Sequence, residues 1–344
     1  MQMERSKLIE VLSMVKSGLA GTAIVEQATH FVFTGSQILT YNDRICICHP
    51  FQTDFQGSVP SDEFYKILNQ MAGESVELNK RGDKLEFSCG KLKAGLVVFP
   101  EGDVISLVET LDIPDVKSKK WKPLPGNFME AVSFCLFSAA SNDSGPGRVL
   151  ASVFVDDDRI VSSDNLRISI YSLKSGLGCS FLFPISSVYE FVKMGDMKMF
   201  VLGKSWIYFK SVDDVIFASR LLQGTEYPQV DDHFEFDYTE VVFPEDLKDS
   251  IEAVMVLAPG EMEINKFIDV VIEEGKVKCR GEKEVGWIQS EHEIDYSGPV
   301  IQFGINPVFF IQILKQTSLM RYGKGKALFV SDYFEHLLSL VVLS

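Results

Sequence analysis

Hydrophobic positions along the chain switch between helical and strand spacing, and the switch occurs three times. Pro60 leads into Glu63-Phe64-Tyr65-Lys66-Ile67-Leu68, Pro184 into Val188-Tyr189-Glu190-Phe191-Val192-Lys193, and Pro307 into Phe310-Ile311-Gln312-Ile313-Leu314-Lys315. Apolar residues recur three, four and seven positions apart in each, which predicts a helix with one buried face. A proline at the first helical position loses nothing, because its missing N–H has no partner there in any case. The three prolines are 124 and 123 residues apart.

A second helical pattern repeats at a similar interval. Its copies are Leu8, Ile9, Val11, Leu12 and Val15; Phe128, Val132, Cys135 and Leu136 after Pro125; and Leu247, Ile251, Val254 and Met255 after Pro244. Residues 84–88 and 96–98, 206–209 and 215–218, and 327–330 and 337–342 are rich in β-branched and aromatic residues and read as strands. Hairpins are expected around Gly35, around Asp156-Asp157-Asp158 and around Gly275, each between two apolar runs. The aspartate triplet suits a cation site, but its position between two strands favours a hairpin tip. Each unit therefore reads helix, strands, helix, strands, with boundaries near Lys120 and Phe236. This predicts an α+β chain of three repeated domains, 1–120, 121–236 and 237–344, with linkers at 114–125 and 231–238.

Composition narrows the function. A formal net charge of −15 opposes non-specific nucleic-acid binding, so any such role requires a local basic surface. Six scattered cysteines include no CxxC pair and suggest no disulfide framework. Cys46 and Cys48, with His49 beside them, are a weak metal candidate lacking a second ligand pair; no cofactor and no metal are expected. The N-terminus lacks the apolar core of a signal peptide, and no run of 18 apolar residues exists. A cytoplasmic protein with no membrane partner is expected. There is no dinucleotide or phosphate-loop fingerprint, because Gly323-Lys324-Gly325-Lys326 lacks the hydroxyl residue that contacts magnesium. With no nucleophile elbow or zinc-protease motif either, the chain is read as non-enzymatic.

Several short segments carry a family likeness. Ser163-Asp164-Asn165-Leu166-Arg167-Ile168 resembles a T-D-G-H-R-L stretch, the run from Ala218 to Pro228 resembles S-R-L-x-G-x-F-P, and Phe303-Gly304-Ile305-Asn306-Pro307 resembles a G-F-N segment. Together, in order and spacing, they make the chain similar over essentially its full length to the bacterial DNA polymerase III beta subunit, the beta sliding clamp. It resembles a divergent member, with a phage origin left open.

That resemblance implies clamp domains with helices lining an inner channel and antiparallel sheets outside. Two chains would close head to tail as a ring-shaped homodimer around duplex DNA, serving replication as a processivity factor. Enclosure needs only weak, sequence-blind phosphate contacts. The candidates are Lys7, Lys16, Lys66, Arg148, Lys193, Lys248, Lys315, Arg321, Lys324 and Lys326, beside the acids Glu63, Glu130, Glu190, Asp249 and Glu252. The resemblance also implies a hydrophobic cleft for short peptides of the replicative polymerase and the clamp loader. By position its wall is Leu150, Asn165, Leu166, Arg167, Ile168, Pro228, Leu338, Leu340 and Val342. The family has Gly-His at Asn165-Leu166 and ends Met-Pro-Met-Arg-Leu where this chain has residues 340–344, so its peptide preference is expected to differ. Ring closure is placed at Val256 and Leu257 against the edge near Leu96, Val97 and Val98. Two rivals stand beside this reading: a clamp-like monomeric interaction scaffold that does not encircle DNA, and an enzyme on a repeated α+β scaffold.

Overall fold

A computed structural model describes residues 1–22, 27–100, 102–141, 146–262 and 265–343. Gly145, in the loop before Arg148, and the terminal Ser344 lie outside the described residues. Among the described residues seven α-helices form: α1 (Arg5–Val15), α2 (Ser61–Gln70), α3 (Gly102–Thr110), α4 (Phe128–Leu136), α5 (Ile185–Phe191), α6 (Leu247–Val254) and α7 (Pro307–Leu314). Six match the two repeating patterns, and they pack as three pairs: α1 with α2, α4 with α5, and α6 with α7. The periodic apolar positions are the buried ones, including Leu8, Leu12, Phe64, Val132, Val188, Ile251 and Phe310. The prolines differ in one respect from the expectation. Pro60 and Pro184 sit just outside their helices as N-caps, whereas Pro307 is the first helical residue. The Asn306 side chain caps α7, accepting from the N–H groups of Val308 and Phe309 at 3.0 and 3.2 Å.

Contacts divide the chain into two compact units, both of which draw on the middle repeat. The first comprises Met1–Leu136, Ser152–Asp157 and Lys174–Thr225. It holds a four-stranded antiparallel sheet in the order Gln2–Glu4, Ser75–Arg81, Lys84–Cys89, Leu92–Val97. A second sheet runs Gly57–Pro60, His30–Phe33, Gln37–Tyr41, Ile45–Pro50, Ile216–Arg220, Trp206–Ser211, Met197–Leu202, Lys122–Pro123. Two repeats meet inside this sheet, where Ile45, Ile47 and Cys48 pair with Ser219, Phe217 and Ile216. A phenylalanine cluster packs beneath it, with Phe191 4.3 Å from Phe209 and 5.5 Å from Phe217 between ring centroids. Such pairs each contribute about 0.5–1.5 kcal/mol beyond area burial.

Helix α3 was not foreseen, and the stretch read as a linker carries the buried Trp121. Val104, Leu111 and Trp121 are buried with Tyr208 and Trp206 in one core, and the Tyr208 hydroxyl donates to the Leu111 carbonyl. The Asp156-Asp157-Asp158 run is a turn between strands, as expected. Its carboxylates serve the chain itself: Asp157 accepts from the Gly178 N–H at 2.6 Å and Asp156 from the Ser180 hydroxyl at 2.9 Å.

The second unit comprises Phe137–Ala151, Asp158–Leu173 and the chain from Glu226 onward. Six of its strands lie in the order Arg159–Ser163, Arg167–Ser172, Phe334–Ser339, Lys326–Val330, Leu319–Gly323, Thr239–Val242. Four more form a sheet ordered Gly286–Glu293, Lys276–Lys283, Ile268–Glu273, Ile301–Ile305. One apolar core joins both sheets to α6 and α7 through Ile251, Ile268, Phe303, Phe310 and Phe329. In the four-stranded sheet, Ile268, Val270 and Ile272, Val277 and Cys279, and Ile301, Phe303 and Ile305 point into that core at the two-residue period of a sheet.

Candidate functional site

The tightest turn of the second unit carries the motif singled out in the sequence. Asn165 has φ +71°, in the left-handed region where asparagine is among the least strained non-glycine residues. One oxygen of Asp164 accepts from the N–H groups of Leu166 and Arg167, both at 3.1 Å, and fixes the turn. Its other oxygen accepts from Arg167 Nε at 2.9 Å. The Arg167 guanidinium stacks 3.5 Å from the Phe309 ring centroid and 5.1 Å from that of Phe137. A cation this deep is tolerable because it is both paired and laid against aromatic faces.

The turn forms one lip of a cavity of about 330 Å³. Leu150, Leu166, Ile168, Pro228, Val230, Leu337 and Leu338 supply its apolar wall, and Ser163, Asn165, Arg167, Gln229, His233, Lys326 and Ser339 its polar groups. Seven of the nine expected cleft residues therefore meet around one cavity. Two do not: Leu340 is buried in the core of the unit, and Val342 is exposed, both outside the lining. Gln229, Val230 and His233 also line the cavity and were not foreseen; His233 lies in the 231–238 stretch read as a linker. Lys326 was assigned to DNA. In the structure it lines the cavity, donating to the His233 carbonyl at 2.8 Å over the Phe236 ring.

Behind the turn runs a buried chain of hydroxyls. Ser138 Oγ meets Ser162 Oγ at 2.8 Å and Ser169 Oγ at 2.5 Å, and Ser169 Oγ contacts His336 Nδ1 at 2.8 Å. His336 is stacked on Phe137, with ring centroids 4.8 Å apart. Burial, and then the positive charge of Arg167, push its pKa down to about 3, so the imidazole is neutral at ordinary pH.

The other expected contacts are spread over both units. Lys7 is exposed on α1, Lys16 follows it with Nζ 4.9 Å from the Tyr65 ring centroid, and Arg148, Lys315 and Lys324 are exposed. Lys248 is half-buried on α6. Three others are already engaged by acids: Lys66 by Asp62 at 3.3 Å, Lys193 by Glu190 at 2.9 Å and Arg321 by Glu240 at 3.1 Å. The proposed closure residues lie near open strand edges. Leu92–Val97 is the last strand of its sheet, with Leu96 half-buried, Val97 exposed and Val98 buried just beyond it. Val256 is exposed and Leu257 half-buried in a turn after α6. Gly286–Glu293 is likewise an edge, carrying an exposed Trp287, which sequence periodicity did not single out.

Cys46 and Cys48 are buried 3.9 Å apart. The contact with Cys48 and burial hold the Cys46 thiol well above its usual pKa, the reverse of what a thiolate metal ligand needs. Among the described residues no group of three histidine, cysteine or acidic side chains is placed to hold a metal. No described helix is long and apolar enough to cross a membrane.

No protein-family model matches the chain, and no curated protein matches it in sequence. Its fold, by contrast, is shared with many solved structures. The DNA polymerase sliding clamp from Bacillus subtilis matches with a TM-score of 0.80 at 17% identity, covering 100% of this chain and 99% of that one. The DNA polymerase III beta subunit from Thermotoga maritima matches with a TM-score of 0.78 at 18% identity, with the same coverage. A sliding clamp from Pseudomonas aeruginosa bound to griselimycin matches with a TM-score of 0.81 at 16% identity, covering 99% of both chains. The chain thus has the α+β clamp fold, three domains of antiparallel sheets and helices, on a strongly diverged sequence.

Proposed function

We propose that this protein is a non-enzymatic DNA sliding clamp that closes head to tail as a homodimer around duplex DNA. One observation carries the reading: the clamp fold accounts for the chain from end to end, at 99–100% coverage. In this reading the three domains are 1–120, 121–236 and 237–344, and the cavity beside Arg167 tethers the replicative polymerase and the clamp loader by short peptides. The strand edges Leu92–Val97 and Gly286–Glu293 close the ring by pairing across subunits. Their charges are complementary: Lys91 and Lys93 flank or lie on one, Glu291 and Glu293 lie on the other. DNA is held by topology, so the exposed cations Lys7, Lys16, Arg148, Lys315 and Lys324 need only soften the passage of phosphates. A cytoplasmic location follows from that role.

A second reading is a monomeric interaction scaffold on the same fold. It is favoured by the pairing of Lys66, Lys193 and Arg321 with acids and by the net charge of −15. Light scattering at micromolar concentration separates the two. The clamp reading predicts twice the chain mass, reduced to the monomer by Trp287→Asp together with Val97→Asp. A wild-type protein that is monomeric throughout supports the scaffold.

A further inference from the structure

The cavity beside Arg167 is lined by no carboxylate, in a chain with 48 acidic residues against 33 lysines and arginines. Of its two fixed cations, Arg167 is matched by Asp164 beneath the turn, at 2.9 Å with both side chains 9% exposed. Asp231, on the neighbouring segment, is held by Arg159 at 2.5 Å. Lys326 is different. Its Nζ spends one donor on the His233 carbonyl and rests 4.2 Å from the Phe236 ring centroid, and no described carboxylate lies within ion-pair distance of it. An ammonium has three donors, so the site retains both charge and hydrogen-bonding capacity at the rim of an apolar pocket. Leu166, 43% exposed and also lining the cavity, offers it an apolar contact.

Resting on the peptide-pocket reading above, we infer that the ligand is a short acidic peptide. It seats an aliphatic or aromatic side chain among Leu166, Ile168 and Pro228 and sets an aspartate or glutamate carboxylate against Lys326. Lys326 is then a specificity residue, discriminating by charge among peptides that the apolar wall accepts alike.

The test is selection of a random heptapeptide phage library on the immobilised full chain, followed by anisotropy with the best synthetic peptide and its Asp→Asn or Glu→Gln form. Wild type is expected to enrich an acidic residue near an apolar anchor and to prefer the acidic peptide about fivefold, the ceiling of a partly solvated ion pair. Lys326→Gln should abolish that preference, Lys326→Arg should keep it, and Leu166→Glu should lose both peptides. No acidic enrichment, or an unchanged preference in Lys326→Gln, overturns the role of Lys326. Selected peptides that bind Leu166→Glu as well as wild type, or no selected peptide at all, overturn the pocket reading itself.

Discussion

The chain builds one hairpin turn twice, once in each unit, and the two copies end differently. In the first unit Asn42 Oδ1 accepts from the N–H groups of Arg44 and Ile45, and Asp43 has φ +69°. In the second unit Asp164 Oδ1 accepts from Leu166 and Arg167, and Asn165 has φ +71°. Both turns feed a strand that pairs antiparallel with the last strand of a following repeat. The Arg220 N–H donates to the Arg44 carbonyl at 2.9 Å, and the Ser339 N–H donates to Leu166 at 2.8 Å. The hydrogen bonds and strand registers correspond residue for residue, yet the side chains diverge. Ile45 stands where the second copy has Arg167, and the apolar cross-strand pair Ile47 and Phe217 stands where it has Ser169 and His336. Arg220, beside Trp206 and bonded to Asp43 at 3.0 Å, stands where the second copy has only Ser339. At these positions the first copy pairs apolar side chains, and the second pairs polar ones beside a cavity. On the peptide-pocket reading, side chains alone turn the repeated frame into a binding site at the second junction.

The largest break in this comparison should come from Arg167→Ala, which leaves Asp164 buried without its cation. A loss of about 3–5 kcal/mol in urea unfolding is expected. Joint replacement, Asp164→Asn with Arg167→Met, should recover most of it, since an uncharged pair carries no desolvation penalty. Next comes acid. The unfolded chain protonates His336 near pH 6.5, whereas the folded one resists until about 3, so the unfolded state binds more protons between those values. Stability on this account falls as pH drops through that window, by about 3 kcal/mol at pH 4. Ser169→Ile with His336→Phe, which copies the first junction, should flatten the difference between pH 7 and pH 4 by that amount relative to wild type. Ser339→Arg, which copies Arg220 of the first junction onto the cavity lining, should cost at least tenfold in affinity for a selected peptide with little change in melting. Arg220→Ser should be the mildest change, about 0.2–1 kcal/mol, because the Asp43 pair is solvated.

The sequence made the helices and the repeat legible because burial writes its period directly into apolar spacing. The paired α1 and α2, for example, are readable from Leu8, Leu12, Phe64 and Leu68. Helix α3 carries the same apolar spacing at Val104, Leu107, Val108 and Leu111 and was missed because it stands outside the threefold repeat; its partners Tyr208 and Trp206 are about a hundred residues away. The pocket was half legible. Asp164 to Ile168 form a contiguous motif, but Lys326 and His233 reach the cavity only through strand register and a hydrogen bond between segments 93 residues apart. Val342 was assigned to the wall by its position in the family resemblance, but the C-terminal residues here differ from the family's, and position alone carries no information about where a side chain points.

Enclosure of DNA is the claim on which the functional account turns. Subunits should be dissociated, reassociated with a nicked circular plasmid, and separated from free protein by gel filtration in high salt. The account predicts protein that stays with the circle despite the salt and is released when one restriction cut makes the plasmid linear. Equal retention on linear and circular DNA, or no retention on the circle by a protein that does dimerise, would contradict it.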